Sequence, residues 1–381
     1  MNQSVVVLGA TGSIGTQSLE VIDNLDLDVV ALAARRPSRE FAAQAGRYPD
    51  AAIVVVGGST DERNEFESLV GRSVLYDGEA VLEAAITPEA TVINGIVGAA
   101  GLRATVAALE AGNRVALANK ESLVAGGPVV KAALADFGGE LIPVDSEHSA
   151  LYQCLMGEPA ESVSRLILTA SGGPFRGRDR DELAEVTPKE ALQHPTWDMG
   201  PRITIDSATM FNKGLEIIEA HYLFDIDYDR IDVVVHPQSV LHSAVEFVDG
   251  SWKGHFGQPD MRIPIQFALT APDRSPSPAR PFSLAGLDLQ FETPDQEAFP
   301  AIEIAYDAGR KAGSAPAVMN AADEIAVEAF LQGRLGFLSI TEIVARTLET
   351  VDWRDVTNVD DVVSVDREAR STAAGLIAGV S

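Results

Sequence analysis

The chain begins with a short apolar run that passes directly into a glycine-rich turn. The run is Val5-Val6-Val7-Leu8, the turn is Gly9-Ala10-Thr11-Gly12-Ser13-Ile14-Gly15, and an amphipathic stretch follows from Thr16 to Ile22. A strand, a tight turn and a helix in this order bring backbone N–H groups and the positive end of a helix dipole to one place, which suits a pyrophosphate. The glycine spacing differs from GxGxxG, so a plain turn is the alternative. The flanking strand and helix favour a phosphate-binding turn.

Apolar β-branched runs continue to alternate with alanine-rich helical stretches as far as about residue 144. The predicted strands are Val5 to Leu8, Val29 to Ala33, Ile53 to Val56, Thr91 to Ile93, Val115 to Ala118 and Glu140 to Val144. Strands separated by helices need crossover connections, which produce a mostly parallel sheet covered on both faces. The sequence therefore predicts an α/β fold whose N-terminal domain, residues 1–144, is doubly wound and Rossmann-like.

The rest of the chain changes character twice. Residues 145–270 keep strands, predicted at Arg165 to Ala170, Ile231 to Val235 and Ala244 to Val248, and are expected to form a central α+β catalytic domain. Four prolines between Ala271 and Pro281 predict an extended linker over residues 271–298. A C-terminal helical bundle is expected over residues 299–381, with helices at Ile302 to Arg310, Ala317 to Leu331, Ile340 to Thr350 and Arg367 to Ala378.

Charge and cysteine usage limit the partners that the chain can have. The 381 residues include 29 Lys and Arg against 56 Asp and Glu, and the net charge of -27 repels nucleic acid and anionic lipid surfaces. The single Cys154 excludes an internal disulfide and a thiolate metal cage, which fits a reducing cytoplasm. No signal peptide and no apolar run long enough for a membrane span is recognised. We therefore expect a cytoplasmic protein that binds neither nucleic acid nor membrane.

Two arginines follow the predicted second strand, at Arg35 and Arg36. In NAD-binding folds an acidic residue at this place takes the ribose 2'-hydroxyl, whereas guanidinium groups suit a 2'-phosphate. The pair therefore favours NADP over NAD. The alternative is that both arginines are solvated loop charges.

Three carboxylates are candidates for a divalent metal site. Asp145 and Glu147 directly follow the strand that ends at Val144, and in an extended segment residues two apart point the same way. Asn212 and Glu216 lie four apart, on one face of a predicted helix. Asp145, Glu147 and Glu216 could together hold Mg²⁺ or Mn²⁺, and the histidines lack the spacing of zinc proteases. The alternative is that these acids cap helices or face water.

Two further segments carry polar side chains that could contact a substrate. Lys120 follows the strand that ends near Ala118, at the carboxyl edge of the sheet, where it is either a substrate-binding cation or a surface residue. Residues 171–201 form a polar excursion that is bounded by glycine and proline, and the excursion predicts a mobile lid whose Trp197 covers a ligand. A surface excursion with a half-buried tryptophan is the alternative.

Taken together, these segments resemble the 1-deoxy-D-xylulose 5-phosphate (DXP) reductoisomerase family. The matching segments, in the family's order, are Gly9-Ala10-Thr11-Gly12-Ser13-Ile14-Gly15, Ala118-Asn119-Lys120-Glu121-Ser122, Val144-Asp145-Ser146-Glu147-His148-Ser149, Ser171-Gly172-Gly173-Pro174-Phe175-Arg176, His194-Pro195-Thr196-Trp197-Asp198-Met199-Gly200, Asp206-Ser207-Ala208-Thr209-Met210-Phe211-Asn212-Lys213-Gly214-Leu215-Glu216 and His236-Pro237-Gln238-Ser239. The resemblance implies an NADPH- and metal-dependent homodimer that isomerises and reduces the sugar phosphate DXP to 2-C-methyl-D-erythritol 4-phosphate, in the non-mevalonate route to isoprenoids. The implied metal is Mg²⁺ or Mn²⁺, with Co²⁺ as a further option.

The resemblance also implies a role for individual residues. The implied NADPH contacts are Thr11, Gly12, Ser13, Ile14, Asn119, Glu121 and Gly200, to which the strand-two argument adds Arg35 and Arg36. The implied metal ligands are Asp145, Glu147 and Glu216, and the implied catalytic residues are Lys120, Glu147, Lys213 and Glu216. The implied substrate contacts are Lys120, Ser146, Glu147, Ser171, His194, Trp197, Ser207, Asn212, Lys213 and Glu216. One departure is Ala34-Arg35-Arg36-Pro37, where the family often has Gly and Asn beside the 2'-phosphate.

Two other classes of protein share part of this pattern. Aspartate-semialdehyde dehydrogenases open with a similar turn but need a nucleophilic cysteine, and Cys154 lies in an apolar helical context typical of a structural thiol. A dinucleotide-sensing regulator would need neither three convergent acids nor Lys120 and Lys213. Metal-dependent oxidation of NADPH by DXP distinguishes the three.

Overall fold

The computed structural model describes residues 3–197 and 199–379, so Asp198 of the predicted lid and both chain ends lie outside it. The described residues divide into two compact units. The first comprises Met1–Asn119, Val130–Ser149 and Asp260–Arg280, and the second comprises Lys120–Val129, Ala150–Pro259 and Pro281–Ser381.

The first unit is built on a parallel sheet in the order β4-β3-β2-β1-β5-β6-β7. Its strands are β1 (Ser4–Leu8), β2 (Asp28–Ala34), β3 (Ala52–Val55), β4 (Leu75–Tyr76), β5 (Ala90–Asn94), β6 (Arg114–Leu117) and β7 (Glu140–Pro143). Every residue of the central β5 is buried, so that strand is covered on both faces. The predicted doubly wound fold is confirmed. The strand order reverses between β1 and β5, where such sheets bind ligands at their carboxyl edge.

The second unit contains a mixed sheet in the order β11-β10-β8-β9. Its strands are β8 (Val163–Ala170), β9 (Ile231–Val235), β10 (Leu241–Phe247) and β11 (Trp252–Phe256). The β8 and β9 strands are parallel, while β10 is antiparallel to both of its neighbours. The β11 strand was not predicted, because its polar and glycine positions break the apolar alternation.

Helices connect and cover these sheets. In chain order they are α1 (Ser13–Leu25), α2 (Arg39–Arg47), α3 (Thr60–Val70), α4 (Gly78–Ala85), α5 (Leu102–Glu110), α6 (Glu121–Phe137), α7 (Ser146–Leu155), α8 (Arg180–Leu183), α9 (Pro188–Ala191), α10 (Pro201–Thr209), α11 (Phe211–Phe224), α12 (Arg262–Thr270), α13 (Ala301–Lys311), α14 (Ala315–Leu331), α15 (Ser339–Thr350) and α16 (Val359–Ala378). The α6 helix bends at Gly126, two residues before Pro128. The α16 helix begins eight residues before its predicted start, because Asn358 caps a polar first turn that precedes the apolar repeat.

The observed units differ from the predicted domain boundaries in several places, among them Lys120–Val129, which belong to the second unit. Residues 260–280 belong to the first unit, since α12 packs against α1, β6 and β7 and buries Ile265 and Leu269. The C-terminal helices belong to the second unit, where residues such as Ile302, Phe330 and Ile343 share one core with β8 and α11. The apolar faces of α12 and of the C-terminal helices therefore complete cores that begin elsewhere in the chain.

The predicted linker has the expected irregular conformation. Between α12 and α13 the chain forms neither helix nor strand, apart from one bridge between Glu292 and Val235. Among the described residues, no helix is both long enough and apolar enough to cross a membrane.

Candidate active site

The glycine-rich turn is shaped by two close backbone approaches. Gly9 has φ +85°, and a Cβ on it would lie 2.6 Å from the carbonyl oxygen of Gly95. A Cβ on Gly15 would collide with the carbonyl of Gly9. The α1 helix starts at Ser13, and no side chain caps it at Gly12, so its exposed first-turn N–H groups are available to an anion. Packing of the backbone therefore requires glycine at positions 9 and 15, and the uncapped start of α1 suits a pyrophosphate.

The arginine pair lies where β2 meets this turn. The N–H groups of Gly9 and Ala10 both donate to the carbonyl of Ala33, near the end of β2. Arg35 and Arg36 follow directly, and both side chains are exposed. They therefore lie at the carboxyl edge of the sheet, beside the glycine turn.

Asn119 holds the loop that follows β5. Its side chain is buried, and its amide donates to the carbonyl oxygens of Ile96 at 2.7 Å and Gly98 at 2.9 Å. A Cβ on Gly101 would lie 2.5 Å from Oδ1 of Asn119, so that glycine is needed for the contact. The observed contacts make Asn119 a support of this loop, and its implied contact with NADPH stays a prediction.

The predicted extended geometry of Asp145 and Glu147 is wrong. The α7 helix begins at Ser146, and Oδ1 of Asp145 accepts the N–H of Glu147 at 3.3 Å. Asp145 therefore caps a helix, as the alternative interpretation held, and Glu147 lies in the first helical turn beside the hydroxyl of Ser146. His148 Nδ1 lies 3.4 Å from Oδ1 of Asp145.

Glu216 is a buried carboxylate surrounded by donors. Lys120 Nζ lies 2.8 Å from Oδ1 of Asn212 and 3.3 Å from Oε1 of Glu216, which is 1% exposed. Asn212 Nδ2 donates to the same Oε1 at 2.5 Å, and Lys213 binds Oε2. The predicted i, i+4 relationship of Asn212 and Glu216 is confirmed. The two ammonium groups reduce the cost of burying the Glu216 carboxylate.

A second group of predicted residues meets around Ser171. A Cβ on Gly173 would lie 2.8 Å from the carbonyl oxygen of Ser207, so the glycine loop packs directly on α10. Ser171 Oγ accepts the N–H of Gly173 at 3.1 Å and lies 3.0 Å from Nε2 of His194. Nδ1 of His194 accepts the N–H groups of Thr196 and Trp197, so the hydrogen of a neutral ring lies on Nε2. Burial lowers the pKa of His194, which favours this neutral form.

The first part of the predicted lid is anchored in the core by buried side chains. Phe175 is buried and makes an edge contact with Phe337 at 5.2 Å between ring centres. The short helices α8 and α9 each begin with a capping box and bury Leu183 and Ala191. Residues 192–200 form neither helix nor strand where they are described, and Trp197 there is half-buried. The buried side chains anchor the first part of the segment in the core, and closure of a lid within residues 171–201 stays a prediction.

Comparison with known proteins identifies the family. Family models for DXP reductoisomerase match residues 5–127, and models for its C-terminal domains match residues 141–224 and 256–372. DXP reductoisomerase of Chloroherpeton thalassium is 48% identical over 96% of both chains, and that of Heliobacterium modesticaldum is 49% identical over 98% of this chain and 97% of its own. The chain belongs to the DXP reductoisomerase family. It is an oxidoreductase, and the resemblance drawn from the motifs is confirmed.

Solved structures of the family agree in fold. DXP reductoisomerase from Zymomonas mobilis in complex with NADPH has a TM-score of 0.91 and 45% identity, with 99% of each chain covered. A DXP reductoisomerase in complex with NADPH, fosmidomycin and magnesium has a TM-score of 0.91 and 37% identity over 98% of each chain.

Membership of the DXP reductoisomerase family agrees with the state of the cysteine. Cys154 is buried, and burial raises the pKa of its thiol to about 11. Such a thiol is protonated at neutral pH and cannot act as the nucleophile of an aspartate-semialdehyde dehydrogenase.

Sequence reasoning missed a largely buried arginine that contacts Glu121. Arg202, in the first turn of α10, places a guanidinium nitrogen 2.7 Å from Oε1 of Glu121. A charged residue within a short amphipathic helix gives no signal of burial, because its partners come from distant parts of the chain.

Proposed function

We propose that the buried donor group around Glu216 is the catalytic centre for the reductoisomerase reaction of this chain. That reaction isomerises DXP and reduces the product with NADPH to 2-C-methyl-D-erythritol 4-phosphate, with a divalent metal, in isoprenoid precursor synthesis. The observation that carries the assignment is the pair of ammonium groups, Lys120 and Lys213, beside one buried carboxylate. The two ammonium groups can bind anionic oxygens of a substrate, and the carboxylate of Glu216 can coordinate a metal ion.

The cofactor site is assigned to the glycine turn and the arginine pair. The backbone of Thr11, Gly12, Ser13 and Ile14 binds the pyrophosphate, while Arg35 and Arg36 neutralise the 2'-phosphate. Asn119, Glu121 and Gly200 complete the contacts of NADPH. When it is bound, NADPH supplies the hydride that reduces the rearranged substrate.

The metal is assigned to Asp145, Glu147 and Glu216. Carboxylate oxygens are the donors that Mg²⁺ and Mn²⁺ prefer, and Co²⁺ also accepts them. When bound, the metal polarises the ketone of DXP and stabilises the negative charge that forms on its oxygens as the carbon skeleton rearranges. Lys120 and Lys213 place two positive charges beside Glu216.

The substrate phosphate is assigned to Ser171, Ser207, Asn212 and Lys213. Ser171 Oγ accepts two hydrogen bonds, from Gly173 and from Nε2–H of His194, so its own proton remains for a phosphate oxygen. Neutral donors with one ammonium group suit a phosphate dianion. Ser146 and Lys120 contact the remainder of the sugar.

A lid is assigned to residues 192–200, with Trp197 above the substrate. The reaction passes through an aldehyde that would be lost to water or by diffusion from an open site. The turn at Trp197 is held by Nδ1 of His194, so the lid and the phosphate contact share one side chain.

Assembly as a homodimer is part of the proposal. The β11 strand lies at the edge of its sheet, and it exposes Trp252 by 56% and Phe256 by 40%, with the neighbouring Val248 exposed by 69%. An apolar edge strand pairs readily with another chain. Sedimentation should give a dimer for the parent and a monomer for Trp252→Glu.

The proposed compartment is the reducing cytoplasm, which is supported by the free, buried Cys154.

The test of the function is NADPH oxidation by DXP. We expect turnover that requires both DXP and Mg²⁺ or Mn²⁺, that stops with a chelator and that returns when the metal is restored. Glu216→Gln should abolish turnover, while Glu303→Gln, which changes an exposed carboxylate on α13, serves as a matched control. Metal-independent turnover, or an active Glu216→Gln, would contradict the proposed centre.

A further inference from the structure

Arg202 is a charged side chain that the proposed reaction does not use. It lies on α10, two residues after Gly200, and its side chain is 18% exposed. Its guanidinium nitrogens lie 2.7 Å from Oε1 of Glu121, 3.0 Å from Oε1 of Glu324, 3.1 Å from Oδ1 of Asn320, 3.5 Å from Oδ2 of Asp206 and 3.6 Å from Oδ2 of Asp323. One guanidinium therefore joins the start of α6, the start of α10 and the middle of α14.

The carboxyl groups buried around Arg202 outnumber its single positive charge. Asp206 and Asp323 both lie beside Arg202. Burial raises the pKa of Asp206 to about 6 and holds the pKa of Asp323 well above its ordinary value. Two adjacent buried carboxyl groups avoid a double negative charge by keeping a proton. Burial alone would lower the pKa of Arg202, but the four acids raise it, so the guanidinium stays charged. Hydrogen bonds to Glu121 and Asn320 fix the orientation of the guanidinium.

Two of the three segments that Arg202 joins, the starts of α6 and of α10, carry proposed contacts of NADPH. Glu121 accepts its shortest bond, and Gly200 is the residue that caps its helix. We infer that Arg202 is a positioning residue, which holds Glu121 and the start of α10 in the arrangement that receives NADPH, with α14 as its support. The inference rests on the proposed role of Glu121 in binding NADPH.

An arginine is needed because five acceptors surround one planar group. A guanidinium offers five N–H donors in a fixed fork, whereas the ammonium of lysine is a single point charge on a flexible stem. Lysine at position 202 would keep the charge but could not serve Glu121 and Asn320 together. We therefore expect Arg202→Lys to fold and still to bind NADPH less tightly.

A nearby arginine provides a matched control. Arg370 on α16 binds Glu324 and Asp366 within the same group of charges and makes no contact with Glu121. A purely structural role for these charges predicts similar effects of Arg202→Met and Arg370→Met. A positioning role predicts an effect on NADPH for Arg202 alone.

The experiment measures the Kd of NADPH by calorimetry, without metal or DXP, for the parent, Arg202→Met, Arg202→Lys, Arg370→Met, Glu121→Gln and the double variant Glu121→Gln with Arg202→Met. We expect Kd to rise about tenfold for the changes at 202 and 121 and to stay within about twofold for Arg370→Met. The double variant should be no worse than either single variant, since both act through one contact. The KM for DXP should change little.

The possible failures are distinct. If Glu121→Gln raises Kd while neither change at 202 does, or if Arg370→Met matches Arg202→Met, the positioning role is overturned and the cofactor site stands. If Glu121→Gln leaves Kd unchanged, the proposed cofactor role of Glu121 is wrong and the inference falls with it. Should Arg202→Met fail to fold, Arg202→Lys decides the question.

Discussion

Nε2 of His194 lies 3.0 Å from Oγ of Ser171, while Nδ1 of the same ring accepts the N–H groups of Thr196 and Trp197. Protonation of the imidazole would place its second N–H hydrogen on Nδ1, facing the two backbone N–H groups that donate to this nitrogen. The imidazole therefore couples the proposed phosphate contact to the turn that carries Trp197.

This coupling predicts a pH dependence of substrate binding. Burial lowers the pKa of His194 from its ordinary 6.5, so the folded protein keeps the ring neutral where the unfolded chain takes up a proton. The ring's contribution to stability is full above about pH 6.5 and declines as the pH falls towards the lowered pKa. We expect the KM for DXP to rise below that pKa.

The measurement compares the KM for DXP against pH in the parent and in His194→Asn. The Asn oxygen can accept the same backbone N–H groups but does not titrate, so its profile should lack the rise. Titration of the substrate phosphate affects both proteins equally. Superimposable profiles would show that His194 is not the titrating group.

The contrast between Glu216 and Lys213 tests the metal assignment. Glu216→Gln keeps the volume but removes a negative charge, so Mn²⁺ affinity and turnover should both collapse, while NADPH binding survives because the glycine turn needs no metal. Lys213→Met should instead raise the KM for DXP about tenfold or more, with metal affinity nearly intact. Mn²⁺ and NADPH are titrated separately into each variant. Tight Mn²⁺ binding and normal turnover in Glu216→Gln would make Glu216 a structural acid.

Cofactor selectivity should depend on the arginine pair. Loss of a charge-assisted contact to the 2'-phosphate costs roughly 1.5 to 3 kcal/mol, about ten- to a hundred-fold in affinity. We expect kcat/KM to favour NADPH strongly in the parent, and the preference to fall by that factor when Arg35 and Arg36 are both changed to Ser. Equal use of NADH by the parent protein would refute the assignment.

How far the sequence predicts the molecule depends on the range of the contacts involved. The pattern of the first sheet is predictable because buried parallel strands are apolar runs bounded by helices, and Asn212 with Glu216 follows from helical periodicity. The β4 strand is missed because two residues contain no periodicity. The backbone conformation at Asp145 is mispredicted because an acid after a strand can either continue the strand or cap the next helix.

Arg202 marks the limit of such reasoning. Its partners Glu121 and Asn320 lie 81 and 118 residues away, so only the folded chain brings them together. The same holds for Lys120 and Glu216, which lie 96 residues apart. Motifs predict which residues carry chemistry, while the charges that position those residues come from the tertiary fold.

The proposed lid should respond to ligands. Limited proteolysis within residues 192–200 should slow when NADPH and a substrate analogue are both bound, because a closed segment cannot enter a protease. Cleavage elsewhere in the chain serves as the internal control. Cleavage at an unchanged rate would indicate a rigid segment in which Trp197 is structural.

The buried pair Asp206 and Asp323 predicts an unusual pH dependence of stability. Burial raises the pKa of Asp323 well above its ordinary 3.8, so the folded state keeps a proton that the unfolded chain has released. The free energy of unfolding therefore decreases as the pH rises from about 4 through the raised pKa, and this loss persists at higher pH.

Asp323→Asn replaces the protonated acid by a neutral group of the same shape, which removes the decrease in the free energy of unfolding with rising pH. Relative to the parent, we expect the Asn variant to gain stability as the pH rises from about 4 to 8. Asp249→Asn is the matched control of opposite sign, because hydrogen bonds from Ser251 lower the pKa of Asp249 and its contribution is lost as the pH falls. Urea unfolding at several pH values provides the comparison. A constant stability difference between parent and Asp323→Asn would mean that Asp323 is ionised in the folded protein, and that Arg202 then faces two full carboxylate charges from this pair.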